Sequence, residues 1–280
     1  MENGMKNHKK ITKYVRFSLQ GSEPHYGILD GRTIKELSGN DPLSFAETGN
    51  RIPLAEAEVL LPCTPSKIIG LGLNYVDTVL RNGDRMPNHP KLFIKPPSAV
   101  QFYDKPIVIE PMVKDPACEA ELGVVIGKTA HRVSRETAMS YIWGYIVGND
   151  VTAQDLQQID TLWMRAKSFD TFYPVSQYIV RGIDPEDVNI RMTVNGRLAQ
   201  IGNTKNMLFP IDYLISYISH IVTLYPGDII STGTPGGYGI PVKAGDIVGV
   251  SIDKVGFIHN PVISAEAPYW VNMAKRNEVI

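Results

Sequence analysis

The chain has 280 residues, with 28 Lys and Arg against 29 Asp and Glu, a formal net charge of −1. It is 43% hydrophobic and 20% charged, enough apolar material to bury the core of one large domain or two smaller ones. So even a charge balance gives no electrostatic reason to expect nucleic acid or an anionic membrane as partner, and no stretch reaches the length that spans a bilayer as a helix.

Residues 1–11 are polar, lack the apolar centre of a secretory signal and read as a flexible tail. Residues 12–62 form a small β-rich N-terminal unit. Tyr14 to Leu19, His25 to Leu29 and Thr33 to Leu37 alternate as strands, separated by turns at Gln20 to Pro24 and at Asp30-Gly31. Pro53, Pro62 and Pro65 punctuate the exit, and residues 63–280 make a second, larger unit. Cys63 and Cys118 have neither disulfide-framework nor metal-site spacing and suit a reducing, cytoplasmic compartment.

Lys67 to Leu73 reads as a buried strand ending at Asn74-Tyr75. The polar stretch Val76 to Pro90 shows no sustained apolar period and is expected as a long irregular loop, which in a packed domain is functional or disordered. Leu92 to Lys95 returns to strand. Next comes Glu119-Ala120-Glu121, two carboxylates at i and i+2, leading into the apolar run Leu122 to Ile126. In a strand such positions share a face, with Cα atoms roughly 7 Å apart. Ser134 is an N-cap for a short helix. A second apolar run, Trp143 to Val147, ends at Asn149-Asp150; if the two runs pair, Asp150 arrives beside the glutamates. Three carboxylates on one face repel unless a cation sits among them, and hard ions such as Mg²⁺ or Mn²⁺ prefer oxygen ligands. On spacing alone the same pattern also fits a solvated strand face.

Val151 to Lys167 looks helical and then loop-like. Asp184-Pro185 fits an N-cap with proline at the first helical position. Asn195-Gly196 between two apolar runs signals a hairpin, and Ile211, Leu214, Ile215, Ile218 and Val222 recur at helical spacing. Thr232 to Gly237 (TGTPGG) lacks the endings of a nucleotide cradle, yet its backbone N–H groups can meet a carboxylate. Asp246 to Ile252 and Val255 to Val262 close the chain as strands. No histidine lies in a metal-binding pattern; His89, in the irregular stretch, is the one placed to have a role. No serine-hydrolase elbow is present.

Several of these pieces in this order resemble the fumarylacetoacetate hydrolase family: Gly70-Leu71-Gly72-Leu73-Asn74-Tyr75, Leu92-Phe93-Ile94-Lys95-Pro96-Pro97-Ser98, Glu119-Ala120-Glu121-Leu122, Gly144-Tyr145 through Asn149-Asp150, Lys167-Ser168-Phe169-Asp170, Val194-Asn195-Gly196 and Thr232-Gly233-Thr234-Pro235. The resemblance covers residues 66 to 263. It implies an α+β, β-rich fold with a mixed β-roll, usually in a homodimer. It also implies Mg²⁺ or Mn²⁺ held at Glu119, Glu121 and Asp150, and a small β-diketo or 2-oxo acid substrate passing through a metal-bound enolate. Lys167 would face the developing charge, while Tyr75, Gln157, Gln200, Gly233 and Thr234 match substrate-pocket positions.

The sequence departs from that pattern in one informative place. Hydrolytic members carry a histidine and, three positions on, a glutamate that together activate water. Thr78 and Arg81 stand at those positions here, and threonine is no base near neutral pH. Gln154 also replaces an arginine. Three readings follow: C–C hydrolysis of an acylpyruvate-like substrate with His89 or Asp77 as base, which family prevalence places first; decarboxylation or isomerisation, which needs no activated water; and a non-catalytic metal- and oxo-acid-binding relative.

Overall fold

Strands that alternate and strands that are apolar throughout divide this chain into rim and centre. A computed structural model describes residues 10–39 and 41–266, so residues 1–9 of the expected tail lie outside the described residues. Ala120–Ile126 and Ile142–Asn149 are buried at every position, which requires cover on both faces. They pair antiparallel, Ala120 opposite Asn149 and Glu121 opposite Gly148.

Around this pair runs a sheet of eleven strands. On one side it continues through Tyr178–Arg181 to the N-terminal strands Thr12–Ser18, His25–Asp30, Thr33–Ser38 and Ala46–Pro53; on the other it continues through Ile229–Ser231 and Ile68–Gly72 to Lys91–Lys95. A second sheet of five strands is built from Arg197–Asn203, Asn189–Val194, Ile247–Ile252, Gly256–Ser264 and Ile107–Ile109. Each sheet contains a parallel pair, Ile229–Ser231 with Ile68–Gly72 and Gly256–Ser264 with Ile107–Ile109. The expected β-rich, mixed architecture is what the chain adopts.

The two faces of the central strands feed two cores. Leu122, Val124 and Ile126 pack with Met192, Val250 and Ile258 of the second sheet and with Ile211, Leu214, Ile215 and Ile218 of the Ile211–Ser219 helix. Val125 and Ile146 face the other way, toward Trp143, Tyr173 and Ile68. The N-terminal strands close on a small core of Val15, Phe17 and Ile34, yet Thr12–Ser18 also bonds to Tyr178–Arg181. Among the described residues no helix is long and apolar enough to cross a membrane.

Three local expectations are corrected. Val76 to Pro90 is not wholly irregular: Val76–Asn82 is a helix ended by Gly83 at φ 72°, whose N–H returns to Leu80 and Val79 carbonyls. Seven residues make too few turns for a period to show. Beyond Val151 the chain forms a two-residue strand, Thr152–Ala153, and two short helices, Gln154–Ile159 and Met164–Lys167. Asp184 does cap, accepting the Glu186 N–H, but only a turn follows, and the next strand begins at Asn189. The hairpin is as expected, with Asn195 and Gly196 both at positive φ.

Parallel neighbours share no hairpin, so Ile68–Gly72 and Ile229–Ser231 need another clamp. Asp228 supplies it. Fully buried, it accepts the N–H groups of Ser66, Lys67 and Tyr225 and the Ser66 hydroxyl, and it pairs with the Lys67 ammonium. Removing the carboxylate strands these donors. Asp228→Ala is therefore expected to lower unfolding free energy by about 3 kcal/mol, and Asp228→Asn, which keeps one acceptor oxygen, by less; urea unfolding measures both.

Candidate functional site

The central pairing delivers the carboxylates. Glu119 precedes the Ala120–Ile126 strand and Asp150 follows Ile142–Asn149, so antiparallel register sets them side by side. The Asp150 N–H donates to the Glu119 carbonyl at 2.9 Å and the Glu119 N–H to Asn149 Oδ1 at 3.0 Å. One carboxylate oxygen from each of Glu119, Glu121 and Asp150 lies within 4.8 Å of the others. The solvated-face alternative does not apply here: Glu121 is 1% and Asp150 0% exposed.

Small residues make room for this cluster. A Cβ on Gly148, opposite Glu121, would come 2.8 Å from Tyr173 Oη. The Tyr173 hydroxyl instead donates to Ser231, whose hydroxyl donates to Glu121 Oε2. Gly233, at φ 89°, turns its N–H onto the same oxygen at 3.0 Å.

Two lysines answer the charge. Lys167 Nζ bridges Glu119, at 2.8 Å, and Asp150. Lys95, fully buried, donates to Asp150 Oδ1 at 2.7 Å and to the Val151 carbonyl at 3.1 Å. Sequence reasoning gave Lys95 no role, although a lysine at i+2 from Phe93 in an apolar strand points inward with it. Three carboxylates against two ammoniums leave one negative charge in excess. At an effective dielectric of about 20, like charges this close repel by roughly 3 kcal/mol.

The repulsion is felt most at Glu121, which resists carrying the negative charge. Burial, then the charges of Asp150 and Glu119, hold its carboxyl well above the usual range. Burial likewise raises Glu119, against the pull of Lys167. Asp150 goes the other way, since Lys167 and Lys95 outweigh the burial that would raise it. Burial lowers Lys95. It also opposes charge on Lys167, but Asp150 and Glu119 override it and keep that ammonium protonated. An all-oxygen donor set with unbalanced negative charge fits a hard divalent cation.

Glu119, Glu121 and Lys167 form the floor of a cavity of about 190 Å³, walled by Phe93, Trp163, Gln157 and Thr234, with the more exposed Lys91 and Tyr238 at its mouth. Asp150 is fully buried and is not among the residues that line the cavity. Of the other residues singled out from the sequence, Tyr75, Asp77, His89, Gln200 and Gly233 are not on the cavity wall. His89 is exposed. Tyr75 is fully buried. Asp77 accepts the Gly236 N–H. Gln200 accepts the Ala120 N–H and donates to Thr234 Oγ1 and the Pro235 carbonyl, so it shapes the wall from behind.

Thr78 does line the cavity, and its hydroxyl is tied to the glycine-rich turn: it donates to the Thr234 carbonyl at 2.8 Å and accepts the Gly237 N–H at 3.1 Å. Arg81 donates to the Gly236 carbonyl at 2.7 Å. With Asp77, these residues latch the Val76–Asn82 helix onto the glycine-rich turn.

The fumarylacetoacetate (FAA) hydrolase C-terminal family model matches residues 67–263, and the Rv2993c-like N-terminal model matches residues 12–62. The mitochondrial oxaloacetate tautomerase of Xenopus laevis is 42% identical over 287 aligned positions, covering 90% of this chain and 90% of its own. The 2,4-didehydro-3-deoxy-L-rhamnonate hydrolase of a Sphingomonas species is 37% identical over 267 positions, covering 87% of this chain and 93% of its own. The crystal structure of 5-carboxymethyl-2-hydroxymuconate delta-isomerase from Mycobacterium smegmatis superposes with a TM-score of 0.82 at 36% identity, over 90% of this chain and 100% of that one.

A cation that relieves the buried repulsion binds the folded state alone and stabilises it, by about 2.7 kcal/mol at a hundred times its Kd. Mn²⁺ or Mg²⁺ is therefore expected to raise the melting temperature, and Glu121→Gln to abolish most of that rise; differential scanning calorimetry with and without a chelator reads both.

Proposed function

The chain belongs to the fumarylacetoacetate hydrolase family, and on that premise we propose that it isomerises a small 2-oxo acid through an enolate, by keto–enol or double-bond shift, with Mg²⁺ or Mn²⁺ held by Glu119, Glu121 and Asp150. The observation that carries this reading is Thr78. Hydrolysis of an acylpyruvate-like substrate, expected first from family prevalence, needs a base that activates water. At the position where hydrolytic relatives would carry it, a threonine hydroxyl is spent on the Thr234 carbonyl and the Gly237 N–H. His89 and Asp77, the substitutes considered for that base, are off the cavity wall. Isomerisation moves a proton and a double bond and needs no water. The tautomerase and the isomerase among the similar proteins support the same reading.

The ion, when bound, supplies Lewis acidity toward adjacent carboxylate and carbonyl oxygens of the substrate. The chain's own groups bind and orient the substrate, while the proton lost at one atom and the proton gained at the other exchange with solvent, which is not consumed. Lys167, kept protonated by Asp150 and Glu119, places its ammonium in the floor itself, where it would donate to an oxygen that gains negative charge. Gln157 and the Thr234 hydroxyl orient the substrate from the wall. Phe93 and Trp163 close one side with apolar surface, which thins out water and strengthens those contacts.

The test supplies Mg²⁺ or Mn²⁺ and follows two compounds. Enol-oxaloacetate is expected to ketonise faster with its mass unchanged, and acetylpyruvate to release no pyruvate. Glu121→Ala should lose more than the 10–100-fold typical of removing an outer-shell partner. Pyruvate release with solvent oxygen incorporated would overturn the reading in favour of hydrolysis; CO₂ release from oxaloacetate would do so in favour of decarboxylation.

A further inference from the structure

We propose that Lys91 binds the distal carboxylate of the substrate and makes this site selective for 2-oxo dicarboxylic acids over monocarboxylic ones. The proposal rests on the oxo-acid reading of the carboxylate floor and adds a reader for the other end of the molecule.

The Lys91–Lys95 strand supplies the geometry. Lys91, Phe93 and Lys95 are at i, i+2 and i+4, so they share one face at steps of roughly 7 Å. Their surroundings grade from inside to outside. Lys95 is fully buried on Asp150. The Phe93 ring lies 4.7 Å from Lys167 Nζ, on the floor. Lys91 is exposed and lines the mouth of the same cavity. One strand face thus runs from the carboxylate cluster to the opening and carries a cation at each end.

Lys91 is held in place. Its Nζ stands 3.9 Å from the centroid of the Trp163 ring, and Trp163 packs edge-on against Phe93 at 5.8 Å. Gly72, paired with Lys91 in the sheet, makes that possible: a Cβ there would come 2.7 Å from the Trp163 ring. An ammonium seated on an aromatic face loses little further freedom when an anion arrives. Among the described residues no carboxylate oxygen lies within 4.0 Å of Lys91 Nζ, so its donors are open to a ligand. Asp84 lines the same mouth and is the carboxylate whose charge Lys91 feels; a second substrate carboxylate competes with it.

A monocarboxylic oxo acid engages the floor alone, whereas a dicarboxylic one gains a charge-assisted hydrogen bond at the mouth. Two unreactive probes separate these contributions: oxalate, which offers only adjacent carboxylates, and N-oxalylglycine, which adds a distal one. Calorimetric titration of the full chain with saturating Mg²⁺ is expected to show that Lys91→Met, which keeps a stem over Trp163, weakens N-oxalylglycine about tenfold. Oxalate should stay within about twofold of wild type, and Lys91→Arg should retain most of the N-oxalylglycine affinity. Equal weakening of both probes, or no change in either, would overturn the assignment. If wild-type protein binds neither probe, the oxo-acid reading itself fails, and Lys91 as reader fails with it.

Discussion

The burial of three carboxylates against two ammoniums is the constraint on which the rest of this site depends. Charges taken out of water are costly unless paired and hydrogen-bonded, and here the pairing is deliberately incomplete. Asp150 has both lysines and is stable as an anion. Among the described residues no ammonium lies within 4.0 Å of Glu121, which is left with the Ser231 hydroxyl and the Gly233 N–H. A site short of one positive charge has a repulsion that a bound cation would relieve.

Such a cluster persists only on a rigid frame. Glu119 and Asp150 are fixed by the Asp150 N–H on the Glu119 carbonyl and the Glu119 N–H on Asn149 Oδ1, at the end of two strands buried at every position. Glu121 is fixed from the neighbouring strand, through Ser231 and the turn beyond it. That neighbour runs parallel to Ile68–Gly72, and Asp228 clamps the pair at its base. The electrostatics at one end of these strands therefore lean on a second buried carboxylate at the other.

Latching of the Val76–Asn82 helix gives the cavity its chemical character. The residues that replace a water-activating pair were legible in the sequence only as an absence. In the fold they are a connection, with Thr78 and Arg81 tying the helix to the glycine-rich turn. The same side chains thus hold the shape of the wall where the resemblance would place a water-activating pair.

The sequence by itself determined the parts that follow from local pattern. Glu119 and Glu121 at i and i+2, the apolar runs on either side, the Asn195-Gly196 hairpin and the Ile211 to Ile218 stripe are short-range signals, and each folds accordingly. Tertiary structure alone decided what depends on distant partners. Lys95 joins Asp150 across 55 positions, and Lys91 faces the cavity because Gly72, on a different strand, admits the Trp163 ring. His89 stays at the surface, and Tyr75 is packed into the core. Periodicity records which way a side chain points, whereas burial and charge balance depend on what the fold brings against it.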